Sequence, residues 1–191
     1  SCSSPKNIPG TNWSTVVSSA YMGHAITTKT DGTLWAWGQN YGLGVLGQNV
    51  GGPSTTGSLS SPTQIGTGTD WARAFNGTRN WHAVKTNGTL WACGLNSQGY
   101  LGDGGTTAKS SPVQIGTETT WSSQIYAGSY TRPCIQVKTD GTMWTWGYNH
   151  KGQLGHNDKT NYSSPKQVPG TNWDRVKLHG TSAQAIQLLE E

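Results

Sequence analysis

The acidic and histidine side chains are the first candidates for chemistry, because acid–base catalysis and metal binding both require them. The chain has nine acidic residues and five histidines. Asp31 and Asp140 fall in predicted turns, and the histidines form no His-x-x-x-His or His-Glu pattern suited to zinc. His24 begins a predicted strand and is interpreted as a structural histidine. We therefore predict no catalytic residue, no metal site, no cofactor and no enzymatic activity.

The cysteines give no sign of redox or metal chemistry. Cys2, Cys93 and Cys134 are odd in number and form no Cys-x-x-Cys pair. A disulfide framework is therefore not predicted. Cys93 stands where two similar segments have tryptophan, and we interpret it as a small buried hydrophobic residue.

Residue types that dominate protein interfaces occur in segments that differ between otherwise similar parts of the chain. Variable loops on a rigid scaffold are a common way to build a recognition surface. We predict that these loops bind a protein or a surface glycan, the alternative being solvent loops with no partner. The candidate residues are Tyr21, Met22, Arg79, Trp81, Tyr130 and Arg132 in one set of loops, and Tyr41, Tyr100, His150 and Lys151 in a second set.

The scaffold that would position these loops is a repeat. The phrase Lys-Thr-Asp-Gly-Thr-Leu-Trp-Ala-Trp-Gly and two close variants begin at Lys29, Lys85 and Lys138. A spacing of about 50 residues is typical of solenoids, propellers and arrays. Each copy is therefore one supersecondary unit, and the chain is a repeat protein.

Two further markers recur with the phrase. A Ser-Pro pair is followed eight or nine residues later by a tryptophan, and an Asn-x-x-Gly-x-Leu-Gly motif closes the second and third copies, with a longer Asn40–Gly47 version in the first. We divide residues 1–191, taken as a single repeat domain, into units at approximately 3–59, 60–109, 110–162 and 163–191. The last unit is incomplete because it lacks the Gly-Thr-Leu-Trp strand.

Strands are predicted to form each unit. Asp31-Gly32 and its equivalents lie between alternating runs, as in type I′ hairpins, whose two turn residues both need positive φ. In the following strand Trp35 and Trp37 point to one side while Leu34 and Ala36 point to the other. A sheet that is apolar on both faces and repeats at this period predicts an all-β fold, a partial β-propeller of about four blades.

The composition predicts a core of few, large aromatic residues. Only 32% of residues are hydrophobic, yet ten are tryptophan and one is phenylalanine. Burying an indole removes about 200 Å² from water. We predict a structural role for nine tryptophans: Trp13, Trp35, Trp37, Trp71, Trp91, Trp121, Trp144, Trp146 and Trp173.

The three repeated motifs together resemble the repeat of the regulator-of-chromosome-condensation propeller family. That resemblance implies a ring of usually seven four-stranded blades. The Pro-Gly-Thr-Asn-Trp sequence is most similar to that of repeat proteins of environmental bacteria and tailed phages. It implies a structural or recognition module, located on a virion or at an extracellular or cell surface.

Two activities of the family can be compared with this sequence. The nuclear exchange factor uses a wedge between blades and a basic tail, and the plant ultraviolet-B photoreceptor uses Gly-Trp-Arg-His-Thr repeats. Neither pattern is present. Arg79–His82 resembles the photoreceptor repeat only weakly and occurs once. The alternative to the surface module is an intracellular regulatory propeller that binds a protein partner in the manner of an exchange factor.

Three to four units are too few for a seven-bladed ring. The chain is therefore expected to be part of a longer ring, with head-to-tail self-association and a small four-bladed ring as alternatives. The net charge of +4 is scattered along the sequence, whereas nucleic-acid binders cluster their cations, so no nucleic-acid partner is predicted. No apolar stretch approaches about 18 residues, so no membrane span is predicted, and no signal peptide is recognised.

Overall fold

The computed structural model describes residues 4, 6–14, 17–18, 23–40, 44–49, 57–123, 126–127, 133–173, 176–179 and 185–188. No helix occurs among these residues. Fourteen strands run in chain order as β1 (Val17–Ser18), β2 (His24–Thr28), β3 (Leu34–Gly38), β4 (Leu59–Gln64), β5 (Trp71–Asn76), β6 (Asn80–Lys85), β7 (Leu90–Gly94), β8 (Lys109–Ile115), β9 (Tyr126–Ala127), β10 (Pro133–Val137), β11 (Met143–Gly147), β12 (Tyr162–Val168), β13 (Val176–His179) and β14 (Ala185–Leu188).

The strands form antiparallel meanders. β1 to β4, β5 to β8 and β9 to β12 each make a four-stranded sheet in sequence order, and β13 pairs with β14 in a two-stranded sheet. The first strands bring the sheets together, since β5 contacts β1, β2 and β9, and β9 contacts β13. The sheets thus stand side by side as blades of a propeller arc. The predicted all-β propeller fold is confirmed, and we call the sheets the first to fourth blades.

The sequence repeat is offset from the blades. The Ser-Pro strand with which a sequence unit begins forms the last strand of the preceding blade, as in β4, β8 and β12. The marker tryptophan then starts the next blade. Its backbone N–H donates to the carbonyl of the preceding hairpin's glycine, for example from Trp121 to Gly88 over 3.1 Å. A single repeat of the sequence therefore links two blades.

The tight hairpins differ from the predicted type I′ turns. In the second blade the Gly88 N–H donates to the Lys85 carbonyl, so the turn residues are Thr86 and Asn87, and only Gly88 has positive φ, at 77°. The Asn87 Oδ1 accepts bonds from the backbone N–H and the hydroxyl of Thr89. The side-chain cap and the left-handed glycine form a three-residue loop, the next most common hairpin connection. The type I′ prediction is wrong at all three hairpins, since Asp31 and Asp140 also lack positive φ.

The core lies between the blades. In the second blade Leu90 and Ala92 face the third blade, whereas Cys93 packs with the first blade. Both sides of the strand are therefore covered. Of the nine tryptophans with a predicted structural role, Trp71, Trp121 and Trp146 are buried, and six are half-buried: Trp13, Trp35, Trp37, Trp91, Trp144 and Trp173.

Candidate partner-binding surface

The antiparallel topology sorts the connections between strands to the two ends of each blade. The connections before the second strand and after the third strand lie at one end, and we call residues 39–40, 44–49, 57–58, 77–79, 95–108 and 148–161 the loop face. The hairpins and the links between blades lie at the other end, and we call residues 29–33, 65–70, 85–89, 116–120 and 138–142 the hairpin face. The two sets of variable loops selected from the sequence share the loop face.

The predicted binding residues fall into three groups. Arg79, His150 and Lys151 lie on the loop face, where Arg79 is half-buried and the other two are exposed. Trp81 and Tyr100 are buried. The remaining candidates lie outside the described residues: Tyr21, Met22, Tyr41, Tyr130 and Arg132.

Trp81 and Tyr100 must be corrected as surface contacts, because their side chains are 0% and 2% exposed. Trp81 belongs to strand β6, and its indole N–H donates to the Val45 carbonyl of the first blade over 2.7 Å. The Tyr100 carbonyl in turn accepts the Trp146 indole of the third blade over 3.1 Å. These residues join blades to one another, so neither side chain is available to a partner.

The Asn-x-x-Gly-x-Leu-Gly motif closes each loop by a side-chain hydrogen bond. Asn96 accepts the Leu101 N–H over 2.9 Å, and Asn149 accepts the Leu154 N–H over the same distance. The two asparagines and the two leucines are fully buried. An amide that replaces missing backbone partners holds a turn in one conformation. The two longer loops of the loop face, 95–108 and 148–161, are therefore rigid at their base.

The second and third blades each contact the preceding blade through a tryptophan and a cysteine that face each other on adjacent strands. The two residue types occupy opposite strands in the two blades. In the second blade Trp81 pairs across the strands with Cys93, and in the third blade Cys134 pairs with Trp146. The Cys93 thiol donates to the Gly44 carbonyl, and the Cys134 thiol to the Tyr100 carbonyl, both over 3.3 Å. Each tryptophan–cysteine pair therefore packs against a loop of the preceding blade. This joint was not predicted from the sequence, although the cysteine at position 93, in place of tryptophan, is a signal of it.

The buried thiols are poor nucleophiles. Burial raises the pKa of Cys93 to about 12, and it raises the pKa of Cys134 as well. The thiolate is the reactive form, so neither sulfur is activated for covalent chemistry. Both are free thiols. Cys93 is buried as expected of a small hydrophobic residue, and it also makes hydrogen bonds.

On the hairpin face each repeat lysine lies between two indoles. The Lys138 Nζ is 3.8 Å from the Trp144 ring centroid and 4.9 Å from that of Trp121, and the rings meet edge to face. Lys29 and Lys85 have the same arrangement. Glu118 pairs with Lys138 at 2.7 Å. Because the cations are enclosed by aromatic rings, these lysines are structural.

Titratable groups do not converge on a reaction centre in the described part of the chain. Burial lowers the pKa of His24 and of His82 to about 4, so both imidazoles are neutral near pH 7. The described residues contain no group of three or more His, Cys, Asp or Glu side chains placed to hold a metal ion. A groove of about 420 Å³ at the hairpin face is lined by small polar residues and by apolar ones such as Val84 and Trp121, and Lys85 is its only charged lining residue. Among the residues that the structure describes, no helix is long and apolar enough to span a bilayer.

Known proteins resemble both the repeat and the fold. Residues 87–131 and 140–178 match the family model of the regulator of chromosome condensation (RCC1) repeat. Human Protein RCC2 is 37% identical over 46 residues, which are 24% of this chain and 9% of that protein. The Arabidopsis thaliana mitochondrial RCC1 domain-containing protein RUG3 is 30% identical over 148 residues, 76% of this chain and 33% of that protein.

Solved structures share the propeller fold. Human WBSCR16 has a TM-score of 0.68 at 19% identity, covering 81% of this chain and 39% of its own. Prp20p of Saccharomyces cerevisiae has a TM-score of 0.68 at 17% identity, covering 84% and 39%. The chain is thus an arc of propeller blades. Its two matched segments are repeats of the RCC1 type, and the chain spans a third or less of the length of the curated relatives described above.

These relatives correct the predicted location. The predicted virion or cell-surface site is wrong, because the relatives include a mitochondrial protein and a yeast protein described as binding Gsp1p and histones. Those partners and that compartment lie inside cells. The coarser prediction, a propeller built from repeats, agrees with the RCC1-type repeat of the two matched segments. A glycan partner gains no support.

Proposed function

We propose that this chain is a protein-binding module of an intracellular regulatory propeller, and that the partner contacts the loop face. The observation that carries the proposal is the joint between blades, in which the Trp81 and Trp146 indoles clamp the loop of the preceding blade. The 148–161 loop, which carries His150 and Lys151, is closed at its base by Asn149. Loops fixed by these bonds present variable side chains in defined positions. A preorganised surface of this kind loses little conformational entropy on binding.

The relatives support a protein as the bound molecule. The yeast propeller Prp20p is described as binding Gsp1p and histones, and a second structure holds it with Kap60. A protein partner also suits the side chains that remain on this surface. Trp81 and Tyr100, two aromatic residues on which a sugar ring could have stacked, are buried, whereas Arg79, His150 and Lys151 offer charge and hydrogen bonds.

Site-specific photo-crosslinking tests this proposal. A photoreactive phenylalanine replaces Lys151 on the loop face or, as the control, Thr119 on the hairpin face, and both positions are exposed. After illumination in the cells that produce the protein, we expect one stoichiometric protein adduct from position 151 only. The same adduct should disappear in an Arg79→Ala/His150→Ala variant whose unfolding temperature is unchanged. Adducts from position 119 alone, or from neither position, would refute the proposal.

A further inference from the structure

The two faces of the arc carry opposite electrostatic character. On the loop face Asp103 pairs with Lys109 at 3.5 Å, and Asp158 pairs with Lys166 at 3.7 Å. Each carboxylate is thus compensated by a lysine of the adjoining strand. Three cations of this face have no carboxylate partner among the described residues: Arg79, Lys151 and Lys159.

The hairpin face has the reverse balance. Its described segments carry four carboxylates and three lysines, and the lysines are the ones enclosed by tryptophans. The Asp31 and Asp140 carboxylates accept bonds from Thr33 and Thr142, which lower the pKa of both acids. Lys85 and Lys138 also pair with Asp70 and Glu118, at 3.2 and 2.7 Å. The described carboxylates of this face that form no ion pair are Asp31 and Asp140, and the lysines are enclosed by indoles, so the exposed charge of this face is negative.

We propose that the loop face binds an acidic segment of the partner protein, with Arg79, Lys151 and Lys159 as the cations that receive it. This inference rests on the proposed function and names the chemistry of the partner. Complementary charge steers association and sets the orientation in which two proteins meet. The negative hairpin face repels the same segment, so the polarity of the arc selects the face that is used.

A protein fits this surface better than a nucleic acid does. Nucleic-acid affinity comes mainly from neutralising many phosphates along a basic stripe. Here the three uncompensated cations come from two separate loops, and the same face also carries the Asp103 and Asp158 carboxylates. Such an arrangement suits a short run of carboxylates.

A titration followed by amide NMR tests the inference on the whole chain. The probe is a synthetic glutamate-rich peptide, and a DNA duplex of equal charge is the comparison. We expect the peptide to shift amide signals of the loop face and leave the hairpin face unchanged. The affinity should fall as salt rises, because exposed charges are screened.

Two variants with the same net charge separate a local effect from a global one. Lys151→Gln with Lys159→Gln removes two charges from the loop face, whereas Thr86→Glu with Thr139→Glu adds two negative charges to exposed sites on the hairpin face. The first pair should weaken peptide binding about tenfold, and the second should have little effect. Equal weakening, shifts outside the loop face, or tighter binding of DNA would overturn the inference. If the adduct at position 151 forms and this titration fails, the proposed function stands without an acidic partner.

Discussion

The Trp81 side chain packs between two blades and is not part of the exposed surface. Its indole is fully buried, packs beside Cys93 and donates to the first blade. In the third blade Trp146 approaches the equivalent loop from the other strand of the hairpin. Since the two strands are adjacent, an indole on either one reaches the same volume. The joint depends on the pair of residues and not on one position.

Trp81→Ala should destabilise the fold by about 3–5 kcal/mol, the usual cost of deleting a buried indole. The loss includes the hydrogen bond to Val45. Chemical denaturation monitored by circular dichroism measures it, with His150→Ala as an exposed control that should lie within about 0.5 kcal/mol of the parent. A stable Trp81→Ala protein would contradict the buried position.

His82 makes stability depend on pH. Burial lowers its pKa to about 4, and the ring lies 5.5 Å from that of Trp146. The unfolded imidazole titrates near 6.5, so between those values the unfolded state holds the extra proton and folding weakens as the pH falls. The stability is fully present above about pH 7 and is lost toward pH 4.

Denaturation midpoints at pH 7.5 and pH 5 test this. His82→Gln should lose part of the pH dependence, which over this interval is about 2 kcal/mol for one such histidine. His24 has the same direction of shift, so His24→Gln should reduce the remaining dependence. An identical pH dependence in the parent and the double variant would show that other groups control it.

At the scale of elements, the hairpin is the unit that couples one blade to the next. The Gly88 carbonyl accepts the Trp121 N–H, and a Cβ at position 88 would lie 1.9 Å from the Thr119 carbonyl oxygen. The turn thus needs glycine for positive φ and for close approach of two backbones. Gly32 has the same environment against Thr69.

Gly88→Ala should be more destabilising than Gly66→Ala by about 2 kcal/mol or more. Both residues have positive φ, 77° and 61°, but a Cβ at Gly66 would meet no atom within 4 Å. Gly66→Ala therefore reports backbone strain alone, about 1 kcal/mol, and Gly88→Ala adds the collision with Thr119. Urea denaturation of both variants measures the difference, and equal losses would contradict the close contact.

At the scale of the whole molecule, the arc is a row of blades in which each contacts its neighbours. Two hydrophobic clusters lie between the first and second blades and between the second and third, and a smaller one joins third-blade residues with Trp173. Stability in such arrays is a sum of unit and interface terms. Damage at one interface is therefore expected to act locally first.

Trp146→Ala should loosen the third blade from the second without affecting the first. Amide hydrogen exchange should become faster in β10 and β11, while β2 and β3 of the first blade keep their protection. Mass spectrometry of peptides from the exchanged protein gives this map. A uniform increase across all blades would mean that the arc unfolds as one cooperative unit.

Local rules made much of the fold readable. Asp-Gly and Asn-Gly marked the hairpins. The two-residue alternation in the tryptophan strand predicted that both faces of the sheet are buried. The turn type was misjudged, because Asn87 and its equivalents use their side chains to cap the following threonine. Backbone φ at such positions depends on that bond as well as on residue preference.

The candidate surface was readable only in part. The variable loops around Arg79, His150 and Lys151 could be selected because they differ between repeats. The burial of Trp81 could not be predicted, since a strand residue next to a loop has the same local sequence whether its side chain faces a neighbouring blade or solvent. Lys159 was missed because no interface-type pattern surrounds it.

The amino-acid sequence alone determined the repeat, the strands and the propeller class, because turn chemistry and side-chain alternation act over a few residues. Tertiary structure decided which tryptophans join blades and which face each charge occupies. Those properties depend on strand register and on antiparallel topology, which bring together residues about 50 positions apart. The cations are scattered along the chain, and only the fold places Arg79, Lys151 and Lys159 together on the loop face.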